Sequence, residues 1–276
     1  MGLVAALPAT PQKTPVRGRI QQGAMRYNFD PKLSFDEMCR IAADVGVKGF
    51  DNIPVADWPT LRKNGLIPTM SPTGGVTFED GLIRPADPDA LARSMSEQID
   101  ANAAVGCKGM ITIGGQRRGM SNEEGWERAA KFLKRVIPHV EDKGVNICIE
   151  IMNTRFTDPN YGRVDQICNH IDWAAELCKR VGSPRMKVVC DIYHLQIMDG
   201  NVVDNIRTHF PYIAHFHTAG VPGRREIDDS QELNYRFIAT AIADLGFSGY
   251  VTHEYHLSPG KDSARELRRA VEIMDV

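Results

Sequence analysis

The sequence predicts a single (β/α)8 barrel, an α/β fold, and three observations carry that expectation. Short runs rich in Val, Ile and aromatics alternate eight times with amphipathic runs of helical period, and strands that alternate with helices pair in parallel. Eight such units in about 250 residues is the size of this barrel. An open doubly wound sheet usually has fewer strands and a glycine-rich phosphate loop after the first, whereas the first turn here reads Asn28-Phe29-Asp30-Pro31.

Residues 19–276 hold the eight units. Arg19 to Tyr27 is a weak first strand, and Ser34 with Glu37 forms a capping box ahead of Met38, Ile41, Ala42 and Val45 at helical spacing. Val47 to Ile53 is the second strand, Trp58 to Lys63 a short helix, and Leu66 to Met70 the third strand. A loop with several glycines and prolines, Ser71 to Pro88, leads to a helix from Asp89 to Val105. Lys108 to Gly114 is the fourth strand. Ser121 and Glu124 then cap one long helix reaching Lys143, with Gly144 as its stop. Val145 to Asn153 is the fifth strand, followed by a helix from Val164 to Val181. Met186 to Tyr193 is the sixth, with a short helix near Val202 to His209. Ile213 to Ala219 is the seventh, followed by a charged loop and a helix from Glu232 to Leu245. Gly249 to His256 is the eighth, and Ser263 to Met274 closes the chain as a helix.

Residues 1–18 form a leader. Met1 to Thr14 is an apolar, small-residue patch running into a Pro-rich tether, without the basic start of a secretory signal. A disordered leader implies a cytoplasmic protein; the tail of a longer export signal implies a periplasmic one. The six cysteines form no C-x-x-C pair, and a core of this size needs no disulfide framework. A net charge of −2 gives no general attraction to nucleic acid or anionic lipid, and no apolar run approaches the roughly 20 residues of a membrane span.

Four residues stand out against this frame. Glu150 lies in VNICIEIMN, Asp191 in MKVVCDIYH, His217 in IAHFHTAG and Glu254 in GYVTHEYHL. Each sits late in an apolar strand, where a carboxylate costs several kcal/mol unless it is paired or coordinated. Active sites of such barrels form at the C-terminal ends of the strands. Parity agrees: Glu150 shares a strand face with Asn146 and Cys148, while Val145, Ile147, Ile149 and Ile151 take the other; His215 pairs with His217, and Thr252 with Glu254. Taken singly, Asp191 reads equally as a strand-end cap and His217 as a satisfied core histidine. Together, three converging carboxylates repel one another unless a cation sits between them. An O3N donor set suits Mn2+ or Mg2+, with Co2+ also compatible. His194 and Arg224, on the loops after the sixth and seventh strands, are placed to bind substrate oxygens, although Arg225, Asp228 and Asp229 also read as a solvated loop with internal ion pairs.

The runs IEIMN, CDIYHLQIMDGN, HFHTAGVPGRREIDDSQELNY and THEY, with FDEMCRIAADVGVKGFDNIPVADWPTLRKNGL and RRGMSNEEG upstream, resemble the hydroxypyruvate isomerase branch of the xylose-isomerase-like barrels. The resemblance spans nearly the whole chain after about residue 20. It implies a divalent metal site carried by Glu150, Asp191, His217 and Glu254, with Glu150 and Glu254 also moving the proton. It further implies substrate contacts from His194 and Arg224, and a dimer or tetramer. One position departs: the bacterial hydroxypyruvate isomerases have Gln where this chain has His217, and the ketose 3-epimerases have His. The implied reaction is isomerisation of a small hydroxycarbonyl or sugar acid through an enediolate. Ketose 3-epimerisation, or elimination from a 3-keto glycoside, would use the same chemistry. A DNA-repair nuclease would need more histidines and a basic face. A non-enzymatic binding barrel would be expected to lack one of the two glutamates.

Overall fold

The computed structural model describes residues 18–158 and 162–276; of the predicted leader, all but Gly18 lies outside them. Eight parallel strands line up as β1 (Gln21–Ala24), β2 (Gly49–Asp51), β3 (Ile67–Met70), β4 (Gly109–Thr112), β5 (Asn146–Glu150), β6 (Met186–Asp191), β7 (Ile213–Thr218) and β8 (Tyr250–His253). Each pairs with its sequence neighbours, and β1 pairs with β8 through Gln21↔Tyr250 to Ala24↔His253. The ring closes between β3 and β4 through a bridge from Ser71 to Met110. The (β/α)8 barrel is therefore present.

Helices cover its outside: α1 (Phe35–Val45), α2 (Trp58–Lys63), α3 (Pro88–Val105), α4 (Asn122–Leu133), α5 (Ile137–Lys143), α6 (Ile171–Val181), α7 (Ile192–Met198), α8 (Val202–His209), α9 (Tyr235–Asp244) and α10 (Ser263–Met274). The α1 start follows the expected local chemistry. Ser34 accepts from the Glu37 amide while the Glu37 carboxylate accepts from the Ser34 amide at 2.8 Å, an arrangement worth about 1 kcal/mol. The apolar face, Met38, Cys39, Ala42 and Val45, is buried, and Gly46 ends the helix with a φ of 99°.

Strand parity separates two cores. Val145, Ile147, Ile149 and Ile151 pack outward in the large cluster beneath the helices, while Met70, Ile111, Cys148 and Val189 fill the barrel interior. All six cysteines are free and buried. Among the described residues no helix is long and apolar enough to cross a membrane.

Some element boundaries differ from the sequence reading. The single helix expected from Ser121 to Lys143 is two, with a break after Leu133; Pro138 sits in the first turn of α5, where its ring and missing N–H disfavour a continuous helix. The stretch Val164 to His170 is not helical, because its backbone serves the neighbouring loops: the Asp165 amide donates to Gln116 Oε1 at 2.6 Å, and the Ile167 amide donates to the Gly115 carbonyl at 2.9 Å. The sixth strand stops at Asp191 instead of Tyr193, because Asp191 caps α7. His194, expected on a loop, lies on that helix. The helix expected from Glu232 begins at Tyr235, behind an Asn234 cap.

Candidate active site

The strand ends deliver the site. Glu150 and Asp191 are the last residues of β5 and β6, His217 is near the end of β7, and Glu254 directly follows β8. Register places Asp191 beside His217. One ligand atom from each of the four lies within 4.8 Å of the others. All four are buried, Asp191 and His217 completely.

His217 sits at the centre. Its Nδ1 is 3.0 Å from Glu150 Oε1 and 2.8 Å from Glu254 Oε2, and its Nε2 is 3.0 Å from Asp51 Oδ2. Arg224 Nη2 is 2.8 Å from Glu254 and 3.3 Å from Asp191. Asp191 divides its carboxylate: Oδ1 accepts from the Tyr193 amide at 2.8 Å and the His194 amide at 3.4 Å, while Oδ2 faces Arg224 and lies 3.3 Å from His194 Nε2. Asp191 thus caps α7 with one oxygen and turns the other toward Arg224 and His194. His194 Nδ1 accepts from the Asn153 amide at 3.0 Å, which leaves the proton on Nε2, aimed at the site.

The electrostatics record the crowding. Burial pushes the Asp191 carboxyl up to about 7; Arg224 opposes this, and Glu254 and Glu150 add to it. Burial also opposes ionisation of Glu254, but Arg224 and His217 outweigh it and hold that carboxyl well below its ordinary range. For His217, burial disfavours the cation, yet the charge of Glu254 and the hydrogen bonds to Asp51 and Glu150 raise its pKa well above the usual value. Burial lowers His194 well below its usual value, with Arg224 acting in the same direction.

These residues fit a divalent cation. Two carboxylates, Glu150 and Glu254, share the His217 Nδ1 with a third, Asp191, within 4.8 Å, and Glu254 Oε2, although close to His217 and Arg224, has no contact of hydrogen-bond geometry. A buried acceptor left in that condition costs about 1–3 kcal/mol or more. Three carboxylate oxygens and one imidazole nitrogen form a hard donor set of the kind that holds such ions.

Asp51, at the end of β2, escaped the sequence reading. Its Oδ2 lies 2.7 Å from His215 Nε2 and 3.0 Å from His217 Nε2, and Thr69 donates to its Oδ1. Asp51, His215 and His217 also meet the distance criterion for a metal group, but Asp51 already accepts from all three of these neighbours and acts as an orienting acceptor. The signal was available: an aspartate closing the apolar run VKGFD is the same pattern that singled out Asp191. All six residues expected at the site converge on it. Arg225 does not; it donates to the His256 and Leu257 carbonyls. Asp228 and Asp229 pair with Arg269 of α10; Asp229 is exposed, but Asp228 is buried, so the solvated-loop reading does not hold for it.

Comparison with known proteins agrees with this geometry. The family model described as the xylose isomerase-like TIM barrel matches residues 39–275. The putative hydroxypyruvate isomerase of Homo sapiens is 39% identical over 260 residues, covering 84% of this chain and 89% of its own. The 2-oxo-tetronate isomerase of Pectobacterium atrosepticum is 26% identical over 236 residues, covering 81% and 87%. The crystal structure of an AP endonuclease, family 2, from Brucella melitensis superposes with a TM-score of 0.78 at 23% identity, covering 90% of this chain and 97% of that one; at that identity the likeness concerns the fold alone. By sequence, and in keeping with its strand order, the chain belongs to the xylose isomerase-like TIM barrel family.

Proposed function

We propose that this isomerase-type enzyme converts a small hydroxycarbonyl sugar acid, of the hydroxypyruvate to tartronate semialdehyde kind, with a divalent ion held by Glu150, Asp191, His217 and Glu254. Mn2+ or Mg2+ suits the donor set best, and Co2+ is compatible. The observation that carries the reading is the convergence of those four buried ligand atoms within 4.8 Å of one another, next to Arg224 and a His194 proton donor. The isomerase names of the relatives support the reaction class.

When bound, the ion would polarise a carbonyl oxygen and stabilise the negative charge that develops on it, an effect worth several kcal/mol. The protein's own groups do the rest. Glu254, held ionised by Arg224 and His217, can accept a proton from the carbon beside the carbonyl, and Glu150, 3.0 Å from the same His217 nitrogen, can return one. His194 Nε2 donates to a substrate oxygen. Arg224 holds an anionic group while keeping Glu254 charged.

The test is turnover of hydroxypyruvate in D2O by metal-stripped protein and by protein restored with Mn2+ or Mg2+. Deuterium should enter the product only when the metal is restored, and Glu150→Gln and Glu254→Gln should each lose roughly 10²–10⁴-fold in exchange. Metal-independent turnover, or undiminished exchange in either variant, overturns the reading. Ketose 3-epimerisation is the second reading. It is favoured by His217 in place of Gln, and D-psicose in the same assay separates the two.

A further inference from the structure

The opposite end of the barrel holds a second cavity, with a volume of about 530 Å3. Its walls come from the strand starts, with Lys108 ahead of β4, Asn146 on β5, Arg185 ahead of β6 and Tyr250 on β8. Phe210, ahead of β7, and Phe247, ahead of β8, complete them. Thr69, Cys148 and His215 also line it, farther along their strands and beneath the candidate active site. A small residue helps keep it open: a Cβ at Gly109 would lie 2.6 Å from Met70 Sδ.

The charge of this cavity is one-sided. Lys108 and Arg185 line it, and no aspartate or glutamate does. Among the described residues neither cation lies in an ion pair; Arg185 reaches only Asn146 Oδ1, at 3.4 Å. Lys187, next along β6, donates to the Pro211 carbonyl at 2.8 Å. The backbone sets the main chains of Lys108 and Arg185 on either side of β5, since the Asn146 amide donates to the Lys108 carbonyl at 2.8 Å and the Ile147 amide to the Arg185 carbonyl at 2.9 Å. Lys108 is exposed and Arg185 half-buried; cations of one sign gathered at a cleft attract an anion, and a guanidinium grips carboxylate or phosphate with two parallel donors. The facing wall is aromatic: the Phe210 and Phe247 rings meet edge to face at 6.4 Å.

We propose that this N-terminal mouth binds a small organic anion, its carboxylate or phosphate between Lys108 and Arg185 and its apolar body against Phe247 and Tyr250. The site is separate from the isomerase reading, since Glu150, Asp191, His217 and Glu254 lie at the other ends of their strands.

Calorimetric and NMR titrations of the full chain would use benzoate, phenyl phosphate, inorganic phosphate and benzyl alcohol. At least one aromatic anion should saturate a single site, binding about tenfold or more tighter than benzyl alcohol or inorganic phosphate. Lys108→Gln and Arg185→Gln should each weaken it about tenfold, while Glu254→Gln binds it as the wild type does. Benzoate against phenyl phosphate decides which anionic group fits. Failure of both to saturate below roughly 10 mM overturns the proposal. So does equal binding of benzyl alcohol or inorganic phosphate, binding that survives loss of both cations, or binding lost in Glu254→Gln.

Discussion

Asp51 Oδ2 lies 3.0 Å from Nε2 of His217, so the imidazole that turns its Nδ1 toward Glu150 and Glu254 is anchored from behind by a carboxylate on another strand. A carboxylate behind a histidine sets its tautomer and orientation, and removing such a partner typically lowers metal affinity 10–100-fold. Asp51→Asn should therefore weaken Mn2+ binding by roughly that factor while the folded structure remains, read by metal titration alongside circular dichroism. Wild-type affinity in that variant would remove Asp51 from the site.

Asp191 separates two roles that substitution can tell apart. An asparagine side chain at this position would retain an oxygen for the Tyr193 amide, because asparagine caps helices about as well as aspartate; alanine would not. Asp191→Asn and Asp191→Ala should both lose divalent-ion binding, but only the alanine variant should also lose about 1 kcal/mol of stability through the cap. Denaturant midpoints compared with metal titrations check this. Intact metal binding in Asp191→Asn would sink the ligand assignment.

Gly81 holds two loops together. Its φ is 51°, and a Cβ there would stand 2.2 Å from the Gly114 carbonyl carbon, a separation no backbone atom can yield cheaply. The loops after β3 and β4 touch at this point, with the Leu82 amide donating to the Gly114 carbonyl at 3.0 Å. Gly81→Ala should cost roughly 2 kcal/mol or more, seen as a lower melting temperature. A wild-type melt would show that the two loops separate easily.

Asp228 provides the pH dependence. Burial acts to raise its pKa, but hydrogen bonds from the Ser230 hydroxyl and amide and from Lys261 bring it down to about 2. A carboxyl depressed in the folded state, against 3.8 when free, adds stability above that free value and loses it as pH falls through about 2. Partial exposure of Lys261 and Arg269 screens the interaction, so the gap between wild type and Asp228→Asn should be about 1 kcal/mol at pH 6. Urea titrations should show it narrowing from pH 4 downward. A gap that widens on acidification would reverse the sign argued for Asp228.

Much of this was legible in the sequence because period carries so much information in a parallel barrel. A strand face repeats every two residues, so Glu150 had to share the interior with Cys148 while Ile149 faced the helices, and the cores divide that way. The long helix after Ser121 misled because its apolar period runs on past Leu133; only Pro138 marks the break, and proline in a first turn is as compatible with a helix start as with a helix end. Val164 to His170 misled for a different reason. Its backbone groups are taken by Gln116 and Gly115, partners about 50 positions away in the chain, and no local pattern encodes such a contact. Asp51 was missed because β2 spans only Gly49–Asp51, too short to display an alternation.

The seam at Ser71 sets how the barrel breathes. There β3 and β4 share the bonds from the Ser71 amide to the Gly109 carbonyl and from the Ile111 amide to the Ser71 carbonyl, reinforced by Asn102, which donates to Ser71 Oγ at 2.8 Å and to the Gly109 carbonyl at 3.1 Å. The β5 to β8 side, by contrast, is laced by ladders of four residue pairs each, with one register shift at Val188 and Val189. Local opening starts where the fewest bonds must break together, so the ring parts first at this seam, outside the four paired strands that hold Glu150, Asp191, His217 and Glu254. Thermal fluctuation is thereby directed away from the residues that must stay in register.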